Sequence, residues 1–136
     1  MKLTAFSLHS GLVNALPTSV SVASPIQQQA IPAVLSGEDV LALAQTGSGK
    51  TYAYGLPLLH RIIQQRNSYS LSAVIIAPTR ELASQVGQSL SPLAQALNLK
   101  LEVLCGAEDI ALQVERLTKH INVIVATPGR LLALAQ

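Results

Sequence analysis

Eight consecutive residues, Ala44-Gln45-Thr46-Gly47-Ser48-Gly49-Lys50-Thr51, have the types and spacing to hold a polyphosphate. Gly47 and Gly49 lack side chains, so the backbone there can bend around an anion and turn its N–H groups inward. Lys50 is a point charge with the reach for β- and γ-phosphates, and the Thr51 hydroxyl is a ligand type suited to Mg²⁺. The phosphate-loop pattern opens on glycine, and here Ala44 stands in that place. Gly-Ser-Gly alone would fit an ordinary turn between a strand and a helix. Lys-Thr in register behind it turns the reading toward a nucleotide.

Such a loop needs a strand before it and a helix after it. Val40–Ala44 is a short apolar run that reads as a first strand. A helical pattern opens at Lys50 and runs to about Gln64. It is apolar nearly all round through Leu59, which predicts a buried helix, and Pro57 should bend it. The positive end of that helix adds to the anion site.

The remaining elements follow from caps and periodicity. Residues 1–23 read as an arm with a short helix near Gly11–Leu16. Ser24-Pro25-Ile26-Gln27 is a sharp helix start: Ser24 suits the N-cap, Pro25 the first turn, and Gln27 the return position of a capping box. That helix should pass Ala30 and Val34 and end at Gly37. Ala73–Ala77 is a continuous apolar run, as in a strand buried on both faces. A helix from Arg80 to Asn98 carries Leu82, Val86, Leu90, Leu93 and Leu97 on one face, with a break expected at Ser91-Pro92. Leu101–Cys105 reads as a third strand and Val123–Ala126 as a fourth. Between them Ile110, Val114, Leu117 and Ile121 mark a helix, and Thr127-Pro128 starts another.

Strands alternating with helices predict the α/β class, a doubly wound and mainly parallel sheet. Ligands of such sheets lie at the carboxyl ends of the strands. The phosphate loop, Pro78-Thr79-Arg80, Gly106 and Thr127-Pro128-Gly129-Arg130 all fall at those ends.

Composition bounds these readings. The chain of 136 residues is long enough for one core. Hydrophobic residues make up 49% and charged residues 12%, where about 25% charged is usual, so a sheet covered on both faces or a piece of a larger unit is expected. The formal charge of +2 names no partner. Cys105 is the single cysteine, which excludes an internal disulfide and makes a reducing cytoplasm the expected location. His9, His60 and His120 are scattered, so a His/Cys metal site is not expected. No apolar run approaches the ~18–20 residues of a membrane span, and the first residues lack the apolar core of a signal peptide. Cys105, Tyr52 and Tyr54 read as packing residues.

Four stretches, in order, resemble a known family: Ser-Pro-Ile-Gln-Gln-Gln-Ala-Ile-Pro (24–32), Ala-Gln-Thr-Gly-Ser-Gly-Lys-Thr (44–51), Pro-Thr-Arg-Glu-Leu (78–82) and Thr-Pro-Gly-Arg (127–130). They are similar to the Q motif and motifs I, Ia and Ib of DEAD-box RNA helicases, and the resemblance covers essentially the whole chain. It implies a RecA-like, P-loop NTPase sheet, incomplete at its C-terminal end. Residues 1–23 would be an arm, 24–37 the Q-motif helix, and 38–136 the phosphate-loop core through motif Ib. ATP and Mg²⁺ are the implied cofactors, held by Gln27 and Ala44–Thr51, with Lys50 and Thr51 nearest the chemistry. A carboxamide offers one acceptor and one donor, which suits adenine N6 and N7 and leaves a pair unmade against guanine. Gln27 could equally serve only its capping box, and the two roles could alternate.

The resemblance further implies RNA as partner, gripped by its backbone without base reading through Pro78, Thr79, Arg80, Gly106, Thr127, Pro128, Gly129 and Arg130. The plainer readings are a solvated Arg80 and an N-cap at Thr127-Pro128. Few basic residues line this path, so binding should be weak and salt-sensitive. Two departures stand out. Ser19 and Val20 replace the family's Gly-aromatic pair, so stacking on the base is weaker or comes from Phe6. Gly106-Ala107 replaces a pair of glycines.

The 136 residues contain no Asp-Glu-Ala-Asp or Ser-Ala-Thr run. Nor do they hold the family's second RecA-like domain with its arginine finger, a group worth about 10³–10⁵ in turnover. The expectation is nucleotide binding without hydrolysis or unwinding. In this family later strands return to the middle of the sheet beside strand one. Val40–Ala44 is therefore expected to show an open apolar edge, inviting dimerisation or strand exchange. Two other readings stay open: a DNA helicase or translocase, against which residues 25–32 argue, and a naturally truncated nucleotide-binding or interaction module.

Overall fold

In the computed structural model, residues 2–44, 49–65, 71–104, 113 and 121–134 are described. A 3₁₀ turn (Leu3–Phe6) leads to α1 (Ser10–Ala15), α2 (Pro25–Leu35), α3 (Lys50–Gln64), β1 (Ala73–Ile76), α4 (Arg80–Ala96), β2 (Leu101–Leu104), β3 (Val123–Ala126) and α5 (Pro128–Leu134). The strands form a parallel sheet in the order β1-β3-β2, with Val123 in register with both Ala73 and Leu101. The four residues of β3 are buried, as its uninterrupted Val-Ile-Val-Ala run requires of a strand covered on both faces.

The two faces meet different helices. Val123 and Val125, with Ala73, Ile75, Leu101 and Val103, join the main core with Leu56 and Leu59 of α3 and Leu90 and Leu93 of α4. Ile124 and Ala126, with Leu104 and Ile121, pack against Leu131 and Leu134 of α5. Helices on both sides make this the doubly wound α/β sheet that the alternation predicts. The arm is part of the core rather than an appendage. Leu3, Leu8 and Leu12 are buried in the main cluster, and the Leu3 N–H donates to the Ser21 carbonyl at 3.0 Å.

Helix ends obey their local signals. Gly37, at φ 85°, terminates α2 as its position predicts, and the Arg61 guanidinium of α3 donates to the Val34 carbonyl at 3.4 Å. α4 corrects one expectation, since it runs unbroken through Ser91-Pro92. Pro92 lacks the N–H that would bond the Gln88 carbonyl, but it points outward while Leu90, Leu93 and Ala94 beside it are buried. Packing on both sides of the gap holds the helix together. The buried stripe is also shifted: Leu82 is exposed, and Ala83 takes its place on the face with Val86, Leu90, Leu93 and Leu97.

The larger correction concerns the first strand. Val40–Ala44 forms no strand, and Leu41 and Leu43 are 88% and 85% exposed. A strand exists only when a neighbour takes its N–H and C=O groups. No described residue pairs with this segment, so apolar composition alone cannot make it one. Among the described residues the terminal strands of the sheet are β1 and β2, and on β1 Val74 and Ile76 are 45% and 58% exposed. Cys105 and the helix expected over residues 110–121 lie outside the described residues, apart from Gln113 and Ile121, both buried.

Candidate functional site

The site grows from the meeting of two helix starts. Ser24 caps α2: its hydroxyl accepts from the Gln27 N–H at 3.4 Å, and its own N–H donates to Gln27 Oε1 at 2.9 Å. This is the reciprocal capping box that the sequence predicts. The box fixes the Gln27 side chain, which is only 3% exposed. Its remaining group, Nε2, donates to the Gly49 carbonyl at 3.2 Å. That carbonyl also accepts the first helical bond of α3, from the Ala53 N–H at 3.1 Å. A single carboxamide therefore joins the start of α2 to Gly49, the last glycine of the expected phosphate loop.

Gly49 is required there twice over. Its φ of 89° lies in the left-handed region, and a Cβ would stand 2.5 Å from Gln27 Nε2 and 3.0 Å from Ser24 Oγ. The helix side of the expected loop context is thus present, since Gly49 leads directly into Lys50 and α3. The strand side is not, for the reason given above. Ala44 is half-buried at the entrance, while Gln45, Thr46, Gly47 and Ser48 lie outside the described residues.

Lys50 is exposed and Thr51 half-buried in the first turn of α3. Lys50 and Tyr54, one turn apart, line a cleft of about 750 Å³ that reaches Ile26 and Ala30 of α2, Val40, and Val74 on β1. Burial pushes the Tyr54 phenol above its usual range, against a smaller opposite pull from a hydrogen bond with Thr51. Tyr52 packs against the main core, as does the half-buried Phe6.

A second cleft, of about 480 Å³, is lined by Pro78, Thr79, Arg80, Thr127, Gly129 and Arg130, with Ala133. Parallel pairing of β1 with β3 brings these two stretches together, because it sets the carboxyl ends of the strands side by side. The Ala77 N–H donates to the Ala126 carbonyl at 3.0 Å just past those ends. Thr79 caps α4, its hydroxyl accepting from the Leu82 N–H at 3.2 Å. Arg80 is exposed and Arg130 half-buried, and the exposed Pro128 opens α5. Nothing lies within 4 Å of a Cβ built on Gly129, so packing does not demand glycine there. Gly106 lies outside the described residues.

Some contacts had no signal in the sequence. His9 and His60, 51 positions apart, are hydrogen-bonded. Among the described residues no three His, Cys, Asp or Glu side chains gather as a metal cluster. No described helix is long and apolar enough to cross a membrane.

Residues 24–136 match the family model described as DEAD/DEAH box helicase. The chain is 45% identical over 128 residues to the DEAD-box ATP-dependent RNA helicase CshA of Bacillus subtilis, covering 93% of this chain and 26% of the relative. It is 41% identical over 132 residues to the ATP-dependent RNA helicase CshA of Limosilactobacillus reuteri, covering 96% of this chain and 26% of the relative. The chain thus spans about a quarter of the length of these relatives. Among solved structures, a hypothetical ATP-dependent RNA helicase from Sulfolobus tokodaii is similar, with a TM-score of 0.79 and 28% identity, over 94% of this chain and 36% of that one.

Proposed function

We infer the role of this sheet edge from one fact: the chain belongs to the DEAD/DEAH box helicase family. The reading that follows is that it forms the ATP- and RNA-holding part of an ATP-dependent RNA helicase. The observation that carries it is the bond from Gln27 to Gly49, which ties a carboxamide suited to adenine to the end of a phosphate loop. Gln27 Oε1 and Nε2 now serve the Ser24 N–H and the Gly49 carbonyl, so reading adenine N6 and N7 would replace those two bonds. Base recognition and loop geometry would then be coupled through one side chain. Phe6 would supply the stacking surface.

The residues present fit a nucleotide. A side chain at Gly49 would fill the turn between α2 and α3, and Lys50 beside it is exposed and free to reach phosphate. Ala44–Thr51 would hold the phosphates and Thr51 the Mg²⁺, which when bound neutralises charge on the β- and γ-oxygens. Hydrolysis would draw on a metal-binding and a water-activating carboxylate from an Asp-Glu-Ala-Asp run, absent from these 136 residues, and on a second RecA-like domain. The chain by itself would bind nucleotide without turning it over.

The cleft between Arg80 and Arg130 would take the RNA backbone, with Gly129 leaving room for close approach of a sugar-phosphate chain. Calorimetry with ATP and GTP, together with anisotropy of a labelled single-stranded RNA, tests both halves. Wild type should prefer ATP, and Gln27→Ala should bring the two nucleotides to within a few-fold. Arg80→Ala with Arg130→Ala should weaken RNA binding and flatten its salt dependence by about two units of slope. Equal affinity of the wild type for ATP and GTP would remove the adenine assignment.

Self-association belongs to the same reading, through β1 rather than Val40–Ala44. Leu71–Ala77 is uncharged and free of proline, no second described strand pairs with β1, and its Val74 and Ile76 are exposed. Light scattering behind size exclusion should show mass rising with concentration, and Val74→Lys should suppress the rise. A wild type that stays monomeric at every concentration rules this out.

A further inference from the structure

Where the arm meets α3, two histidine rings serve in the same sense, as acceptors through Nδ1, and the ring of His60 makes the tie between them. His60 Nδ1 accepts from the backbone N–H of His9 at 2.9 Å. His9 Nδ1 in turn accepts from the Gly11 N–H at 3.0 Å and caps α1. A neutral imidazole has one ring nitrogen free to accept, and the imidazolium has none. Protonating either ring therefore puts a donor against a donor. From these paired contacts we propose that His9 and His60 form an acid-released latch, which ties the N-cap of α1 to α3 at neutral pH and frees it in mild acid.

The surroundings decide the sign. Burial, and then the neighbouring His9, push His60 below its ordinary value of 6.5. A histidine whose folded value is lowered favours the neutral form in the native state. Its contribution is complete above about pH 6.5 and is lost as the pH falls below that. No described acid offsets this. Beyond Arg80 and Glu81 at its far end α4 carries no charge, and it meets α1 where Leu97 lies against Gly11. α1 and α2 carry none. On α3, Arg61 is turned to the Val34 carbonyl and Lys50 lines the cleft with Glu38 and Asp39. Lys2 sits in the bridge to Val22, and Lys100 is exposed beyond α4.

The consequence is local, because Leu12 is fully buried beneath the latch and the amides of Leu12 and Val13 both donate to the His9 carbonyl. Releasing His9 would loosen the first turn of α1 while leaving the sheet alone. The test is amide hydrogen exchange at Leu12 and Val13, corrected for intrinsic rates, at pH 7.5 and 5.5 in the full chain. Two net hydrogen bonds correspond to roughly a tenfold loss of protection or more in acid. Asparagine keeps an acceptor oxygen near the position of Nδ1 and does not titrate, so His9→Asn with His60→Asn should stay protected at both pH values. His60→Ala should be less protected than the wild type at pH 7.5, because it lacks the bond to the His9 N–H. Wild-type protection that does not change with pH overturns the latch, as does an equal acid loss in the double asparagine variant. If His60→Ala fails to fold, the comparison of wild type with the asparagine variant decides alone.

Discussion

Lys50→Ala should lower the affinity for ATP and ADP by roughly ten- to a hundredfold while leaving AMP binding nearly unchanged, because a hydrogen bond to a charged group is worth about 1.5–3 kcal/mol. The sign of the stability change makes this sharper. Lys50 is the first residue of α3, so its ammonium sits at the positive end of a helix, where a cation is unfavourable. It is exposed and has no described hydrogen-bond partner. Removing it should leave the melting temperature equal or slightly higher. Such a result would show that the fold does not need the ammonium, as expected of a group that serves a ligand. Calorimetry with the three nucleotides, alongside thermal unfolding, separates these effects. ATP affinity unchanged in Lys50→Ala would sink the phosphate-loop assignment, and an equal loss for AMP would move the ammonium away from the β- and γ-phosphates.

How much of the fold is legible in the sequence depends on how far apart the interacting residues are. The capping box needs only Ser24 and Gln27, and it forms as the local pattern dictates. The continuous run of β3 announces a strand covered on both sides, and it lies at the centre of the sheet. The meeting of Arg80 with Arg130 follows from parallel topology once strands and helices alternate. Val40–Ala44 shows the limit, since a strand is a property of a pair and its composition cannot supply the partner. Pro92 is a second case: the residue argues for a break, and the buried neighbours Leu90 and Leu93 outweigh it. His9 and His60 look unrelated in sequence because the arm folds back across α3. Gln27 lies between these extremes. Its cap was legible, while its bond to Gly49 across 22 positions was not.

That bond makes Gly49→Ala a disruptive single methyl group at the site. The left-handed backbone costs an alanine about 1–2 kcal/mol. The new Cβ would also collide with Gln27 Nε2 and crowd Ser24 Oγ, at 2.5 and 3.0 Å. Displacing Gln27 forfeits its bonds to the Gly49 carbonyl and the Ser24 N–H, each worth about 0.5–1.5 kcal/mol. The expected loss is about 2–5 kcal/mol, a large part of a domain's margin. Gln27→Ala removes the collision in advance, so Gly49→Ala made in that background should cost only the backbone share. Urea unfolding of the wild type, both single variants and the double variant closes the cycle, with an expected coupling of about 1–3 kcal/mol. Strict additivity would mean that Gln27 does not brace the loop. Nucleotide affinity measured on the same four proteins should show the same coupling, because the carboxamide proposed to meet adenine is the one that sets the conformation of the last glycine before Lys50.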